Sequence, residues 1–335
     1  MKRASCFPTL TSLQAASRAR RMRRTLAVLA LITLLSIGLY QFAFVNPKFF
    51  DFAMSLRAPR LAAMLTAAFA IASASLVFQT IIRNTIVTPC LLGMNSLYVL
   101  IHTAVVFFLG SASVFASDAI VSFAVDLIVM GAVAQLIYNT VFARTGGNVL
   151  YILLIGTVLS TFFSSAQTSL TRIMDPNEYD ALINTLVANF SNVNAAVIIP
   201  ALVCLAAVAW RLRREIAVLD ILALGHDQAV SLGVDYTRTV RRLMLGVALY
   251  IAVATALVGP LSFMGLITAN LARALFKTYR HSTLIAGSVL IGMVILAAGQ
   301  FVVEHLALYS VPVSVFITIG GGLYFLYLIL TADRR

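Results

Sequence analysis

The sequence contains little charge for its length. Only 11% of its 335 residues are Asp, Glu, Lys or Arg and 61% are hydrophobic, whereas soluble domains average about 25% charged residues. The mean hydropathy of +0.98 leaves too few polar side chains to cover the surface of a globule of this size. The composition therefore excludes a soluble enzyme and a disordered chain, and it indicates a protein of the lipid bilayer.

Residues that usually carry chemistry are also scarce. The three cysteines lie far apart and the four histidines are scattered, so neither a disulfide framework nor a metal-ligand motif is recognisable. No G-x-x-x-x-G-K-[ST] motif is present, which excludes a P-loop for nucleotide phosphates. Asp126 is the only acid placed well inside an apolar run, and we interpret it as a carboxylate hydrogen-bonded within a helix bundle. The sequence thus predicts no enzyme, no cofactor and no bound metal.

Long apolar runs fill most of the chain, and about 20 such residues are needed to cross the hydrocarbon core as a helix. They predict an all-α integral membrane fold of about ten transmembrane helices, with a basic tail at 1–25 and a single membrane domain at 26–335. The eighth run opens with Gly259-Pro260 and carries Asn270 and Arg273, so a full span and a re-entrant segment both stay open for it. The runs are 26–45, 60–81, 91–110, 118–142, 148–170, 193–210, 240–258, 261–276, 283–303 and 312–331.

The basic residues predict the orientation. A net charge of +12 would suggest nucleic acid as the partner of a soluble protein, but here the basic residues cluster in the short gaps between apolar runs. With the N-terminus in the cytoplasm, all 24 Lys and Arg residues lie on the inner side except Lys48, Arg57, Arg60 and Arg172. This positive-inside bias places both termini in the cytoplasm, and no nucleic-acid partner is expected.

Two loops have patterns that call for a partner. The inner loop at about 216–235 carries apolar residues at intervals, and Gly225 and Gly233 divide it into two short amphipathic pieces. Such a loop either rests on lipid headgroups or docks a soluble protein. On the outer side, Arg57 and Arg60 flank a proline where positive charge is disfavoured, which indicates either interfacial anchors or a contact for an acidic partner. A further outer segment, Asp175-Pro176-Asn177-Glu178, predicts the start of a short surface helix.

Six segments occur in an order that is typical of one family of membrane proteins. They are LRAPR (56–60), RNTIVTPCLLGMNSLY (83–98), DPNEYDALI (175–183), ILALGHDQAVSLGV (221–234), GPLSFMGLITANLAR (259–273) and VPVSVFITIGGGLYFLYLI (311–329). In these segments the chain resembles the permease subunits of the iron-chelate and cobalamin class of ABC importers. The resemblance extends from the first apolar run to the end of the chain.

The resemblance implies a type II ABC importer permease in a bacterial inner membrane, which takes up a ferric siderophore while a separate cytoplasmic ATPase hydrolyses ATP. The inner loop then holds the helices that couple to this ATPase, with Leu222, Leu224, Gly225, Leu232 and Gly233 as the coupling residues. Arg57 and Arg60 take the positions at which the family pairs with acidic residues of a periplasmic binding protein. Guanidinium groups suit such carboxylate contacts because they can bind them in a two-pronged fork.

Departures from the family pattern bear on the partners. The family commonly has Pro-His where this chain has Ala269-Asn270, and an outer W-x-x-G-S where it has 185–190. These differences resemble the subgroup that pairs two unlike permeases, which favours a heterodimer with a sister permease over a homodimer. A permease of the same class that imports cobalamin or haem is the alternative. An ion-coupled secondary transporter would need an ion site or an internal repeat, and the sequence offers neither.

Overall fold

The computed structural model describes residues 10–145, 149–186, 188, 190, 193–306 and 311–332. The described chain is built from α-helices and two short 3₁₀ turns at Pro47–Phe49 and Pro89–Leu92. Its helices are α1 Leu10–Phe42, α2 Phe50–Ile82, α3 Met94–Leu109, α4 Val114–Ser117, α5 Ala119–Thr145, α6 Val149–Ile173, α7 Pro176–Leu186, α8 Ala195–Ala217, α9 Leu219–Leu222, α10 His226–Ser231, α11 Tyr236–Val258, α12 Met264–Phe276, α13 His281–His305 and α14 Val313–Ala332. The all-α prediction is confirmed.

Helices α2 and α11 form the centre of the bundle. Every residue from Ala70 to Ile81 of α2 is buried, and α2 packs against α11, α13 and α12. A helix that is apolar on all sides belongs in the interior, because no face of it favours water. The abundance of alanine and serine in this stretch allows neighbouring backbones to come close.

One close approach requires glycine. Gly265 at the start of α12 faces Ser75 of α2, and a Cβ added at residue 265 would collide with the Ser75 hydroxyl. The absence of a side chain therefore determines how near α12 lies to the central helix. We expect any larger residue at 265 to push α12 away from α2.

Six helices in the described part of the chain are long and apolar enough to cross a membrane, and they lie in α1, α2, α5, α8, α11 and α13. Three shorter apolar helices lie in α3, α12 and α14. A multi-pass membrane protein is therefore supported, while the number of ten spans stays a prediction.

Helix α12 explains why the eighth run was ambiguous. It has 13 residues, which at 1.5 Å per residue reach only about 20 Å, short of the hydrocarbon thickness of about 30 Å. The chain before it, from Gly259 to Phe263, is not helical. Helix α12 by itself is therefore too short to cross the membrane.

Short elements outside the long helices follow the predicted signals. Helix α7 begins at Pro176, where the Asp175 carboxylate accepts a hydrogen bond from the backbone N–H of Asn177 at 2.8 Å. In the inner loop, α9 ends before Gly225 and α10 ends before Gly233. The short helix after Asp175 and the division of the inner loop into two short helices are confirmed, while the position of α7 on the outer surface stays a prediction.

Candidate functional site

The inner loop exposes three apolar side chains, which together we call the coupling surface after the predicted role of the loop: Leu224, Val230 and Leu232. All three side chains are exposed, although they lie outside the long apolar helices. Leu222 is only 2% exposed and belongs to the core of the bundle. Of the predicted coupling leucines, Leu224 and Leu232 therefore lie on the surface, whereas Leu222 anchors α9 from beneath.

The two glycines of this loop have backbone conformations that favour glycine. Gly225 has φ of 110°, and a Cβ there would lie 3.1 Å from Nη1 of Arg83. Gly233 has φ of 82° and nothing within 4 Å of a Cβ. At 233 only the backbone conformation demands glycine. At 225 the conformation also demands glycine, and the Arg83 guanidinium lies close to the turn between α9 and α10.

An ion pair ties the inner loop to α13. The Asp220 carboxylate on α9 accepts hydrogen bonds from the backbone N–H of His281 at 2.9 Å and lies 2.5 Å from its ring Nδ1. Partial burial by itself raises the pKa of Asp220, but the hydrogen bonds and charge of His281, with the charge of Arg280, lower that pKa below its ordinary value overall. The α9 end of the loop is thus attached to the first residue of a 25-residue helix.

Helix α12 holds the link between α2 and α3. The Asn270 side chain donates hydrogen bonds to the carbonyls of Thr85 at 2.8 Å and Leu266 at 3.0 Å. One turn further on, the Arg273 guanidinium donates to the side-chain oxygen of Gln79. Asn270, which departs from the family pattern, therefore has a defined structural partner in this chain.

On the outer side, five residues form what we call the outer cluster: Tyr40, Arg57, Arg60, Gln300 and Glu304. Glu304 is 3% exposed, and its carboxylate lies 3.9 Å from Arg57 and 3.6 Å from Arg60. It also accepts hydrogen bonds from the Tyr40 hydroxyl at 3.0 Å and from the Gln300 amide at 3.2 Å. The side chains of Arg57 and Arg60 are only 14% and 17% exposed. Both predicted docking arginines are thus brought together around one buried acid.

Arg57 has a second role. Its Nη1 donates hydrogen bonds to the carbonyls of Tyr40, Gln41 and Ala43 at 3.0, 3.3 and 2.9 Å. These carbonyls lie at the end of α1, where a helix has no partners of its own for them. A positive charge is also favourable at that end of a helix. Arg57 therefore caps α1 from the neighbouring helix.

The acid inside the membrane domain is paired, as interpreted from the sequence. Asp126 of α5 is 2% exposed, and its Oδ2 lies 3.0 Å from Nε2 of His102 on α3. The His102 ring also lies 4.4 Å from the Tyr98 ring. The described residues contain no group of three His, Cys, Asp or Glu that could hold a metal ion.

Helix α6 has a polar face that the described part of the chain leaves mostly exposed, although Ser96 of α3 is hydrogen-bonded to Ser160 and Ser164 at its edge. Six hydroxyl residues and Arg172 line an open cavity of about 520 Å³: Ser160, Thr161, Ser164, Ser165, Thr168 and Ser169. Several of these hydroxyls donate to carbonyls of their own helix, as Thr168 does to Ser164 at 2.8 Å. Each such oxygen keeps lone pairs that point away from the helix. This face is poorly suited to lipid, because polar groups in hydrocarbon are costly.

Sequence reasoning missed several partners that the fold provides. Glu304, Asp220 and His281 lie at the ends of segments and carry no local motif, so their pairing depends on which helices meet. The hydroxyl residues of α6 could have been found, since serine and threonine recur there at helical spacing.

Comparison with known proteins identifies relatives across most of the chain. The model of the FecCD transport family matches residues 25–331. The petrobactin import system permease protein YclO of Bacillus subtilis is 38% identical over 301 residues, which cover 90% of this chain and 95% of that protein. The petrobactin import system permease protein FatC of Bacillus anthracis is 32% identical over 273 residues, covering 81% of this chain and 76% of that protein.

A solved structure has the same fold. It is described as an inward-facing conformation of a metal-chelate type ABC transporter, and it matches with a TM-score of 0.80 at 22% sequence identity. The match covers 92% of this chain and 99% of that one.

Proposed function

Because the chain belongs to the FecCD transport family, we propose that it is the membrane permease of an ATP-driven importer that takes up a ferric siderophore. The observation that carries this proposal is the coupling surface. It exposes apolar side chains on the face that the charge bias assigns to the cytoplasm, and exposed apolar patches mark interaction sites. A separate ATPase is the partner that a chain without a P-loop requires.

The cargo is proposed from two observations. Two relatives that are more than 30% identical are named as petrobactin import permeases, which supports an iron chelate of this kind. The polar face of α6 also offers a hydroxyl-lined surface with Arg172 at one end, and this suits a polar, anionic chelate better than an apolar compound. We assign the cargo route to this face.

Docking of a periplasmic binding protein is assigned to Arg57 and Arg60. Acidic side chains of the binding protein would have to compete with Glu304, because both arginines already lie within 4 Å of its carboxylate. Arg57 is further occupied by the carbonyls of α1. A sister permease that completes a heterodimer is part of the same proposal and would cover the open side of the α6 face.

Uptake by reconstituted vesicles tests the function. Vesicles that contain the permease pair and its ATPase, supplied with binding protein and ATP, should accumulate labelled ferric siderophore. They should not accumulate unchelated ferric iron. Equal uptake of free iron without binding protein would contradict the proposal. Uptake of cobalamin or haem in place of the siderophore would contradict the proposed cargo but not the importer class.

The α6 route has its own test. Arg172→Glu reverses the charge at one end of the polar face and should slow uptake of an anionic ferric chelate. Lys48→Glu is the matched control, since it reverses another outer charge that does not line the cavity. Equal effects of the two variants would mean that Arg172 acts only through the overall surface charge.

A further inference from the structure

A second cavity lies between α8 and α11, away from the coupling surface and the α6 face. This groove has a volume of about 290 Å³. Its walls are mainly apolar, and two arginines complete the lining: Val208, Arg211, Leu212, Arg242, Leu245 and Leu249. Its size is at the lower end of ligand pockets, near 300 Å³. It suits a narrow apolar chain better than a bulky ring system.

The floor of the groove depends on a glycine. Gly246 of α11 lies directly beneath the Leu212 side chain, and a Cβ at residue 246 would collide with it. Because residue 246 has no side chain, Leu212 can fold down against α11. The groove above it stays open.

The two arginines share one buried acid. Oε1 of Glu215 lies 3.4 Å from Nη1 of Arg211 and 3.1 Å from Nη1 of Arg242. The Arg211 and Arg242 side chains are 60% and 38% exposed, whereas Glu215 is 7% exposed. A guanidinium has five N–H donors, so one shared oxygen leaves most donors of both arginines for a further anion. Glu215 places the two groups side by side.

The side chains around the groove are those expected at a membrane interface. Trp210 beside it is exposed and has the Arg213 guanidinium 5.2 Å from its ring, and exposed tryptophans are enriched at membrane interfaces. Further into the membrane, Ile199 and Val203 of α8 are exposed and apolar, as expected for a side that faces lipid. Ala207 and Arg211, at the edge of the groove, are exposed next to them.

Charge around the groove favours an anionic ligand. The adjoining ends of α8 and α11 carry Arg211, Arg213, Arg214, Arg238, Arg241 and Arg242. Glu215 and Asp235 are the acids in the same stretches. The cytoplasmic leaflet presents anionic headgroups to such basic segments. The site is therefore complementary to a phosphate joined to a long apolar chain.

We propose that the α8–α11 groove binds an anionic phospholipid, with one acyl chain against Val208, Leu245 and Leu249 and the phosphate bound by Arg211 and Arg242. The lipid would fill the space between α8, which leads into the coupling loop, and α11, which leaves it. The proposal depends only on the membrane location of the chain and is independent of the cargo.

Native mass spectrometry of the detergent-solubilised complex with its ATPase provides the test. Phosphatidylglycerol should be retained about thirtyfold more strongly than phosphatidylcholine with the same chains, since two arginines near an anionic group together add about 2 kcal/mol. Arg211→Gln with Arg242→Gln should abolish this preference. The matched pair Arg213→Gln with Arg238→Gln removes the same charge from the same helices outside the groove lining. It should reduce the preference clearly less than the groove pair does, because these side chains would not contact the bound phosphate.

Two further experiments distinguish the contribution of the lipid headgroup from that of the acyl chain. Leu245→Trp fills the groove and should weaken phosphatidylglycerol retention while the arginines are unchanged. Glycerol phosphate, which has no acyl chain, should not displace the lipid at equal concentration. The proposal is overturned if the two double variants lose the preference for phosphatidylglycerol equally. It is also overturned if Leu245→Trp does not change lipid retention, or if glycerol phosphate displaces the lipid as well as free phosphatidylglycerol does.

Discussion

The two ends of the molecule prepare for a partner in opposite ways. At the cytoplasmic end, Leu224 and Leu232 are exposed without cover. At the outer end, Arg57 and Arg60 are already paired with Glu304. The free-energy cost of exposing an apolar side chain is small, and it is recovered when a partner covers that side chain. A nearly buried charge without a counterion is strongly unfavourable. The arginines of the outer cluster are therefore balanced within the chain, whereas the apolar side chains of the inner loop are uncovered in the part of the chain that the structure describes.

This difference changes what mutations at each end should do. A substitution on the coupling surface removes only an interaction with the partner. A substitution in the outer cluster also disturbs the helices that the cluster joins, namely α1, α2 and α13. Variants at the inner end should lose transport without losing stability, whereas variants at the outer end should lose both.

The largest effect is expected for Leu224→Asp. A charge on the coupling surface would have to be desolvated against the ATPase, so uptake should fall by at least about tenfold while the permease remains inserted. ATP hydrolysis by the complex would continue without transport. Leu224→Met is the control, because it keeps the size and the apolar character. Normal uptake by Leu224→Asp would remove Leu224 from the coupling surface.

The next largest effect is a loss of stability in Arg57→Gln. The variant leaves Glu304 less compensated and the end carbonyls of α1 without their donor. Because Arg60 stays 3.6 Å from Glu304, the cost should be below that of a buried pair that is broken completely, which is about 3–5 kcal/mol. The melting temperature of the purified permease should drop accordingly. Arg57→Lys keeps the charge but lacks the planar fork, and its loss should be intermediate. An unchanged melting temperature in Arg57→Gln would argue that α1 does not depend on this cap.

A smaller effect is expected for Arg60→Gln on docking. Ion pairs near a surface contribute about 0.2–1 kcal/mol, so affinity for the binding protein should weaken by up to about fivefold. The difference should grow at low salt, where screening is weaker. Lys48→Gln removes another outer positive charge and should change affinity less. If both variants weaken docking equally at every salt concentration, Arg60 has no specific role.

The smallest effect concerns the pH dependence of the Asp220–His281 pair. The pKa of Asp220 is lowered from its ordinary value of 3.8, so its contribution to stability is present above that value and lost as the pH falls through the lowered pKa. Asp220→Asn should therefore be less stable than the parent protein near neutral pH, and the difference should disappear in strong acid. Asp227→Asn is the control on the same loop, because Asp227 also lies 3.0 Å from a histidine ring, that of His226, but its side chain is fully exposed, so this pair should contribute little. A difference that persists unchanged in acid would contradict the assignment.

The predicted elements succeeded where a local signal was sufficient. The start of α7 at Pro176 follows from an acidic cap and a proline, and the break at Gly225 follows from a residue that tolerates φ of 110°. The pairing of Asp126 required only the rule that a charge inside a bundle has a partner. It did not reveal that the partner is His102.

The sequence alone determined that the chain is a helical membrane protein, and it predicts that the basic side faces the cytoplasm. Hydropathy and charge act on each segment separately, so they can be read without knowing the neighbours. Only the tertiary structure decided that Glu304 lies between Arg57 and Arg60, that Asp220 holds His281, and that Leu222 is buried while Leu224 is exposed. The first two contacts join residues that are far apart in sequence, and the third difference distinguishes two residues that are close together in sequence. All of them depend on how closely packed helices cross, which hydropathy does not encode.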